Sequence, residues 1–499
     1  MNGLVVAANR LPVVVGAEGE LTPSPGGVAS ALTSASEAAT AWVGWGGPDT
    51  GRKAMFEYRD LRLHPVALSR DDVDKYYHGF SNSVLWPLFH GRLRRVELKR
   101  AWWNAYRRVN ERFARIVCGV APLGGTVWVH DYHLLLAPAM IRAKRADLRI
   151  GLFLHIPFPN AQLFSMLPWR EEVVSGMLGA DVLGFQVDED VANFTAAAER
   201  LVGLDVDESG GHRLVDGLRT IEVDAFPISI DFDRWETLGE QAAAAGAERR
   251  AELDVESIFL GVDRLDYTKG ISQRLRAFGE LLDDGTLNPE SCTFVQIAVP
   301  SRQDVAAYDD EREEVEELIE TINSNHRRKT GSVPVLFLHR SFDEIELAAW
   351  YRASDALVVT SLADGMNLVA KEFVAARSDL DGALILSEFT GAAQDLDGAL
   401  IVNPYDIEAI KHALVTALDM PEVERSARLA KMRANVKEND VHHWARTFLA
   451  RLESTPGPET VSARVEPSPR VTGSTLKPAG VVHIAASRAR RRRQRVAER

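Results

Sequence analysis

Strand-like and helix-like segments alternate along almost the whole chain, and this pattern limits the possible folds more than any other feature. Strand-like apolar runs at 4–8, 126–129 and 181–186 are separated by segments with a helical period. A second series of such runs opens at 257–263 and continues to 399–404. Alternation of this kind is typical of βαβ units on a parallel sheet. The sequence therefore predicts an α/β fold built as two successive series.

Length and composition divide the chain further. A chain of 499 residues is too long for one hydrophobic core, so more than one domain is expected. We place the crossover between the two series at 226–231, which predicts domains at 1–232 and 233–453. An amphipathic helix is predicted for 101–116, and further helices are predicted for 234–252 and for 421–453, the end of the second domain. The segment 454–499 is rich in Pro, Ser, Thr and Arg, and we predict a disordered basic tail there.

Charge and hydropathy exclude several classes of protein. The net charge of −13 argues against nucleic acid as a partner. No apolar run reaches the length of about 18 residues that a membrane span needs, and residues 1–10 lack the basic start of a signal peptide. Cys118 and Cys292 lie in apolar contexts, and we interpret them as buried thiols. These features predict a cytoplasmic protein.

The stretch 364–372, Asp-Gly-Met-Asn-Leu-Val-Ala-Lys-Glu, follows a strand-like run and opens a helix-period segment. The free N–H groups of a helix start and the helix dipole form an anion site, and Gly365 lets the backbone approach a ligand. Glu372, one to two turns into the helix, is placed to hold a hydroxyl group. Phosphate and hydroxyl together indicate a sugar nucleotide. An ordinary turn capped by Asp and Asn explains the stretch equally well when it is taken alone.

Cationic side chains follow two other strands of the second series. Arg264 and Lys269 lie between a strand-like run and Gly270, a pattern that fits a diphosphate clamp. Surface charge paired with neighbouring aspartates is the alternative. Arg302 follows the next strand and is a candidate third cation. In the first series, the glycine turn at 24–32 resembles a phosphate loop, although a plain loop-to-helix turn has equal weight.

Polar and aromatic side chains cluster after strands of the first series. His130-Asp131-Tyr132-His133 and His155 end two strands, where open α/β sheets bind ligands. No further metal ligands accompany the two histidines of the first cluster, so the metal interpretation is disfavoured. Acidic triplets at 188–190 and 231–233 are expected by chance in so acidic a chain. The aromatic block 76–90 suits a sugar face, and core packing is the alternative. We predict no obligatory metal.

These residues, taken in order, resemble the trehalose-6-phosphate synthase family over roughly residues 4 to 450. The motifs that carry the resemblance are Asn9-Arg10, Gly26-Gly27, 77–86, 130–133, 153–159, 264–267, Lys269-Gly270, Ser301-Arg302 and 364–372. The resemblance implies a GT-B fold, in which two Rossmann-like domains face each other across a cleft and the last helix packs back on the N-terminal one. It also implies transfer of glucose from a nucleoside diphosphate to glucose 6-phosphate, with retention, giving α,α-trehalose 6-phosphate.

The resemblance also assigns roles to individual residues. The acceptor would be held by Arg10, Tyr77, Trp86, Asp131 and Arg302. The donor would be held by Gly27, Arg264, Lys269, Phe342, Leu368, Val369, Ala370, Lys371 and Glu372. Catalytic contacts are expected of Asp131, His155, Arg264, Lys269 and Asp364. His155 and Asp364 would touch the transferred glucose. No cofactor is implied, a homo-oligomer is possible, and the donor nucleotide stays open.

Two other functions fit parts of the sequence. One is a different GT-B enzyme, such as another sugar-nucleotide transferase or an epimerase. Against it, Arg10 and Arg302 favour a phosphorylated acceptor. The second is a catalytically inactive sugar-phosphate sensor, against which the intact set of donor residues favours an active enzyme. A dehydrogenase is disfavoured because no G-x-G-x-x-G follows an opening strand.

Overall fold

A computed structural model describes most of the chain. The described residues are 3–16, 20–24, 32–33, 39–47, 54–93, 96–207, 212–216, 219–300, 306–329 and 331–455. Three predictions fall outside them: the roles of Gly27 and Arg302, and the disorder of the tail from residue 456 onward.

Two large sheets form the framework, and the first is built by the N-terminal half. The strands of this half are β1 (Leu4–Arg10), β2 (Val13–Val15), β3 (Leu21–Pro23), β4 (Ala39–Trp45), β5 (Phe56–Tyr58), β6 (Leu61–Pro65), β7 (Thr126–His130), β8 (Arg149–Phe153), β9 (Val182–Phe185), β10 (Asp205–Asp207), β11 (His212–Asp216) and β12 (Arg219–Ala225). Strands β2 and β3 form a separate hairpin, and the other ten form the sheet. The ten-stranded order is β10-β11-β12-β9-β8-β7-β1-β4-β6-β5. Pairing is parallel from β12 to β6 and antiparallel at both edges.

Helices cover the faces of the first sheet. Their bounds are Arg70–Asp72, Val73–Leu85 (a π-helix), Trp86–Phe89, Arg100–Val120, Tyr132–Leu134 (a 3₁₀ turn), Ala137–Arg142, Ala161–Phe164, Arg170–Met177 and Asp188–Val202. The helix from Arg100 buries Trp103, Tyr106, Val109 and Phe113, which recur at helical spacing and pack on the core, while its arginines face outward. The amphipathic helix predicted for this segment is therefore confirmed.

The second sheet is wholly parallel. Its strands are β13 (Ser257–Arg264), β14 (Cys292–Val299), β15 (Val335–Leu338), β16 (Ala356–Val359), β17 (Ala383–Ser387) and β18 (Leu400–Val402), in the order β15-β14-β13-β16-β17-β18. Its helices, and those that lead into and out of it, are Phe232–Gln241, Ala243–Leu253, Ile271–Asp283, Ala306–Asn325, Glu344–Ala353, Leu368–Ala376, Ala392–Asp395, Ile407–Asp419, Glu422–Glu438 and Val441–Ser454. Runs of Val, Ile, Leu and Phe form strands buried on both faces, as parallel sheets require.

Two predicted helices are each divided in the structure. The prediction of a single helix over 421–453 is wrong, because the helix breaks at Asn439. The side chain of Asp440 then caps the next helix by accepting a hydrogen bond from the backbone N–H of His443 at 2.7 Å. The helix predicted from Arg234 is likewise two helices, which meet at Ala242.

The last helix, Val441–Ser454, packs against the first sheet although it follows the second. Trp444 and Phe448 lie on Trp128 of β7, with ring centroids 5.0 Å apart in both pairs. The N–H of Val441 also donates to the carbonyl of Ile230 in the crossover. The division of the chain at residues 232 and 233 stays a prediction. Among the described helices, none has the length and apolar content needed to cross a membrane.

Candidate active site

The carboxyl ends of β1, β7 and β8 bring together the predicted residues of the first sheet. Ala7 of β1 pairs with Val129, and Val129 pairs with Leu152 of β8, so the three strands end at one edge. Arg10, His130-Asp131 and His155 follow at that edge. This is the edge at which open α/β sheets bind ligands.

Arg10 is held against aromatic rings. Its guanidinium carbon lies 4.3 Å from the ring centre of Trp45 and 5.4 Å from that of Tyr77. Tyr77 in turn stacks on His133, with centroids 5.9 Å apart. Stacking occupies the face of a guanidinium group and leaves its N–H edge available to a phosphate or carboxylate. Arg10 and Tyr77, both predicted to hold the acceptor, are therefore in contact.

Asp131 adopts a backbone conformation that is rare outside glycine, with φ 73° and ψ 169°. Its N–H donates to the carbonyl of Phe153 at 2.8 Å, and its Oδ1 accepts from the N–H of His155 at 3.3 Å. Strained conformations of this kind persist where surrounding structure enforces them, often at functional sites. The two hydrogen bonds hold Asp131 and His155 side by side.

On the second sheet, Lys269 and Asp364 form an ion pair. Lys269 Nζ lies 2.6 Å from Asp364 Oδ2, and the two side chains are 11% and 15% exposed. Asn367 Nδ2 donates to the same oxygen at 3.1 Å, as does the hydroxyl of Ser361 at 3.3 Å. Burial raises the pKa of Asp364, but the charge and hydrogen bond of Lys269 outweigh it and hold the pKa below its ordinary value. Asp364 is therefore ionised.

Arg264 joins the two sides of the site. It is the last residue of β13, and its guanidinium carbon lies 5.1 Å from the ring centre of Trp86, which belongs to the aromatic block of the first half. One of its guanidinium nitrogens lies 3.9 Å from a carboxylate oxygen of Asp266. Trp86 is 5% exposed and Tyr76 is fully buried, so much of the aromatic block is core packing. Trp86, however, also contacts a predicted donor cation across the cleft.

The predicted helix start is confirmed, with the helix running from Leu368 to Ala376. Asn367 precedes it with φ 93°, and its Oδ1 accepts the N–H of Ala370 at 3.0 Å. Glu372, the last residue of the predicted donor set on this helix, accepts a hydrogen bond from the Tyr351 hydroxyl at 2.9 Å. The start of this helix and its dipole thus lie directly after the Lys269–Asp364 pair.

Lys371 has a use that the sequence pattern did not predict. Its side chain is 1% exposed, and its Nζ donates to the carbonyl of Ile228 at 2.9 Å and lies 2.6 Å from Asp395 Oδ2. Burial lowers the pKa of Lys371, and Asp395 partly opposes this shift. The ammonium group therefore anchors the helix to the crossover segment, and any part of Lys371 in donor binding rests on its backbone.

The loop that contains Gly365, before the helix at Leu368, meets the first half of the chain at a backbone contact. A Cβ placed on Gly365 would lie 2.2 Å from the carbonyl oxygen of His155. Gln186 Nε2 donates to the same oxygen at 3.3 Å, and Gln186 Oε1 accepts from Ile228 N–H at 3.0 Å. Gly365 therefore permits a close approach of the two halves that no side chain would allow.

Two more observations complete the site. His90, which the sequence did not single out, lies on Trp86 with centroids 4.1 Å apart. Burial lowers the pKa of His90 to about 4, and the charges of Asp266, Lys269 and Asp364 also act on it. Phe342 packs under Arg340 at 3.8 Å, beyond the end of edge strand β15, and its role stays a prediction. The sequence signal for His90 was its place in the aromatic block, and that pattern predicted no role for an imidazole.

Metal ligands do not group in the described part of the chain. No set of three or more His, Cys, Asp or Glu side chains there is arranged to hold an ion. The acidic triplets lie at helix starts: Asp188 opens one helix, and Asp231 caps another by accepting the N–H of Arg234 at 3.0 Å. Independence from metal stays a prediction.

The two α/β sheets face each other across a cleft. Two cations, Arg264 and Lys269, and a helix start lie on one side, and an arginine held by aromatic rings lies on the other. This arrangement defines a sugar-nucleotide glycosyltransferase of the GT-B class. The model of glycosyltransferase family 20 matches residues 3–454. The chain belongs to that family.

Comparison with individual proteins supports the same assignment. The trehalose-6-phosphate synthase of Mycolicibacterium smegmatis is 44% identical over 485 residues, covering 92% of this chain and 96% of the relative. That of Mycobacterium marinum is 45% identical over 471 residues, covering 90% and 93%. The resemblance inferred from the motifs is confirmed.

Solved structures agree in fold. The UDP-forming α,α-trehalose-phosphate synthase of Burkholderia xenovorans, in complex with glucose-6-phosphate, superposes with a TM-score of 0.85 at 36% identity, covering 91% of this chain and 100% of that one. An E. coli relative bound with UDP-2-fluoro glucose gives 0.83 at 35% identity, covering 91% and 99%. The predicted GT-B fold is confirmed.

Proposed function

We propose that this chain moves glucose from a nucleoside diphosphate glucose to glucose 6-phosphate, with retention, and releases α,α-trehalose 6-phosphate and the nucleoside diphosphate. The observation that carries the proposal is the contact between Arg264 and Trp86, at 5.1 Å. Through it a donor cation of the second half faces the acceptor residues of the first. The bound glucose-6-phosphate and the UDP-2-fluoro glucose of the two solved relatives support the same pair of substrates.

The geometry supports an assignment of roles. Arg10, with its N–H edge free of the stacking contacts, suits the phosphate of the acceptor. Lys269, Arg264 and the helix start at Leu368 suit the diphosphate of the donor, whose negative charge grows as the sugar leaves. Asp364 faces the transferred sugar, and Glu372 faces the ribose. We infer UDP-glucose as the donor from the UDP-forming relatives.

Retention needs a chemical route. A double displacement would require a carboxylate free to attack the anomeric carbon. The two carboxylates of the site already have partners, Lys269 for Asp364 and the N–H of His155 for Asp131, and we assign neither of them as the nucleophile. We propose a front-face displacement, in which the departing phosphate oxygen accepts the proton of the acceptor hydroxyl. A glycosyl-enzyme adduct detected by mass spectrometry would contradict this route.

A product assay tests the function. The protein is incubated with glucose 6-phosphate or glucose and with UDP-, GDP- or ADP-glucose, and the disaccharide is identified by NMR. We expect α,α-trehalose 6-phosphate only when the acceptor carries its phosphate, and fastest with UDP-glucose. A disaccharide formed equally well from plain glucose would overturn the acceptor assignment, and no transfer with any donor would favour the sensor function.

Donor binding should depend on pH through Glu372. Burial raises the pKa of Glu372 to about 7, although the hydrogen bond from Tyr351 lowers it. The carboxylate is ionised above that value and protonated below it, and a charged acceptor binds a hydroxyl more strongly. We expect the KM for the sugar nucleotide to rise roughly fivefold from about pH 8 to about pH 6 at saturating glucose 6-phosphate.

The matched variant is Glu372→Gln, which cannot ionise. Its KM should be raised throughout and should not change across the same range. A wild-type KM that is flat, or a variant KM that still follows pH, would show that Glu372 does not face the donor.

Three further proposals concern the chain as a whole. We infer two domains at 1–232 and 233–453, because the first segment builds the ten-stranded sheet and the second builds the six-stranded one. We infer a cytoplasmic location, because Cys118 and Cys292 are both free thiols. The third proposal is a homo-oligomer, which light scattering tests.

A further inference from the structure

Two buried histidines meet at the ends of neighbouring strands β7 and β8. Nδ1 of His130 lies 3.2 Å from Nε2 of His155, and the side chains are 1% and 7% exposed. Burial lowers the pKa of His130 well below its ordinary value, and burial lowers that of His155 to about 4. Both rings are therefore neutral at neutral pH, and one proton lies between them.

The proton between the rings decides what the rest of His155 can do. If His130 Nδ1–H donates, His155 Nε2 is the acceptor and His155 carries its own proton on Nδ1. If His155 Nε2–H donates, its Nδ1 is a bare lone pair and His130 carries a proton on Nε2. In the part of the chain that is described, neither His155 Nδ1 nor His130 Nε2 has a hydrogen-bond partner.

The surroundings of His130 distinguish the two arrangements. The ring of Trp128 lies 4.5 Å from that of His130, and the ring of Trp444 lies 6.4 Å away. Both indole N–H groups are buried without an acceptor among the described residues. A proton on His130 Nε2 would add a third unpaired donor beside them, and unpaired buried N–H groups are rarer than unpaired acceptors. The other arrangement puts that proton on His155 Nδ1 instead, on a ring that is 7% exposed against 1% for His130 and that lies between the two halves, where a ligand can accept it. It also leaves a lone pair, not a further donor, beside the two indole N–H groups.

We propose that His130 is a positioning residue that holds His155 in the tautomer with its proton on Nδ1, so that His155 donates a hydrogen bond to an oxygen of the transferred glucose. This rests on the proposed function. The ligand is the partner that the buried Nδ1 lacks, because His155 lies beside Asp131 and under Gly365, between the two halves. Fixing a tautomer through a neighbour is a known way to orient a working imidazole.

The tautomer can be measured without substrate. In protein labelled with ¹⁵N at histidine, long-range ¹H–¹⁵N spectra separate protonated from bare ring nitrogens. We expect His155 to be protonated at Nδ1 and bare at Nε2, and His130 to show the same pattern. Assignment follows from the signals lost in His155→Asn and His130→Phe. Protonation of His155 at Nε2 would overturn the proposal. This readout does not depend on transfer activity, so it is separate from any failure of the proposed function.

Kinetics test whether the tautomer matters. His130→Phe keeps a ring between Trp128 and His155 but removes the donor, and we expect kcat/KM for the sugar nucleotide to fall about 10- to 100-fold. The KM for glucose 6-phosphate should change little. His130→Asn places an N–H near the position of Nδ1 and should recover part of the loss. His412→Phe, at an exposed histidine, is the matched control and should leave both constants unchanged.

The outcomes are separable. Equal activity of His130→Phe and the wild type would overturn the positioning role even if the tautomer is as expected. A rise in both KM values, or a loss that His130→Asn does not reduce, would indicate a packing role only and would also overturn it. If His130→Phe does not fold, as judged by near-UV circular dichroism, the spectrum of the wild type decides.

Discussion

Replacing Lys269 with methionine is expected to lower kcat for glucose transfer by about 10²- to 10³-fold, the loss typical of removing one preorganised charge-stabilising group. Methionine keeps the length and apolar stem of the side chain but removes its charge. The Lys269–Asp364 pair is largely shielded from water, with side chains 11% and 15% exposed, so its field is weakly screened. The charge that grows on the departing diphosphate would lose its nearest buried cation, whereas the KM for glucose 6-phosphate should hardly change.

Lys269 and Asp364 should behave as one unit. In Lys269→Met the carboxylate of Asp364 stays buried without its cation, so part of the loss reflects that carboxylate. Adding Asp364→Asn to Lys269→Met should therefore cost little more, although Asp364→Asn alone should also lower kcat strongly. Losses that simply multiply would contradict this coupling.

The chain supplies a matched control for the ion pair. Lys431 and Asp397 also form one, at 2.5 Å, but their side chains are 66% and 58% exposed. Exposed pairs contribute little, so Lys431→Met should leave kcat unchanged. Wild-type kcat in Lys269→Met would remove Lys269 from the donor site.

The sequence predicted what depends on local pattern. Strand runs followed by polar turns predict the two series of βαβ units. Asn367 and the apolar period after it predict the helix start at Leu368. Parallel strands end at one edge, and the loops that follow β13 and β16 therefore bring Lys269 and Asp364 together. Family motifs added the roles, which no periodicity could supply.

What the sequence could not predict depends on contacts between distant segments. Lys371 lies in a motif that predicts a ligand-binding cation, yet its ammonium group binds the carbonyl of Ile228, 143 positions away. The break at Asn439 is the exception, because its signal is local: no proline or glycine marks it, but Asp440 is a typical N-cap residue and caps the next helix. The place of His90 beside Trp86 and the pairing of His130 with His155 result from tertiary packing, which sequence patterns do not describe.

Gly365 is where the two halves of the site touch, and its substitution should have the second large effect. A Cβ there would lie 2.2 Å from the carbonyl oxygen of His155 and 3.1 Å from the Cα of Ile156, all backbone atoms that no rotamer change can move. Carbon–oxygen contacts need about 3.3 Å or more, so the loop and the strand end must separate by roughly 1 Å. Asp364, beside Gly365, would then shift relative to His155.

Gly365→Ala is therefore expected to lower kcat/KM for the sugar nucleotide by about 10²-fold, because misplacing reacting groups by 1 Å has a cost of that size. Gly391→Ala should act in the same direction, since its Cβ would lie 2.2 Å from the carbonyl oxygen of Gly365 and push the loop from behind. Gly119→Ala is the control: its Cβ meets nothing within 4 Å, and alanine favours its helix. All three variants should keep the circular dichroism of the wild type, because both sheets stay intact. If Gly365→Ala transfers glucose at the wild-type rate, the approach of loop 364–366 to His155 is not needed for catalysis, and the site does not require the two halves to meet there.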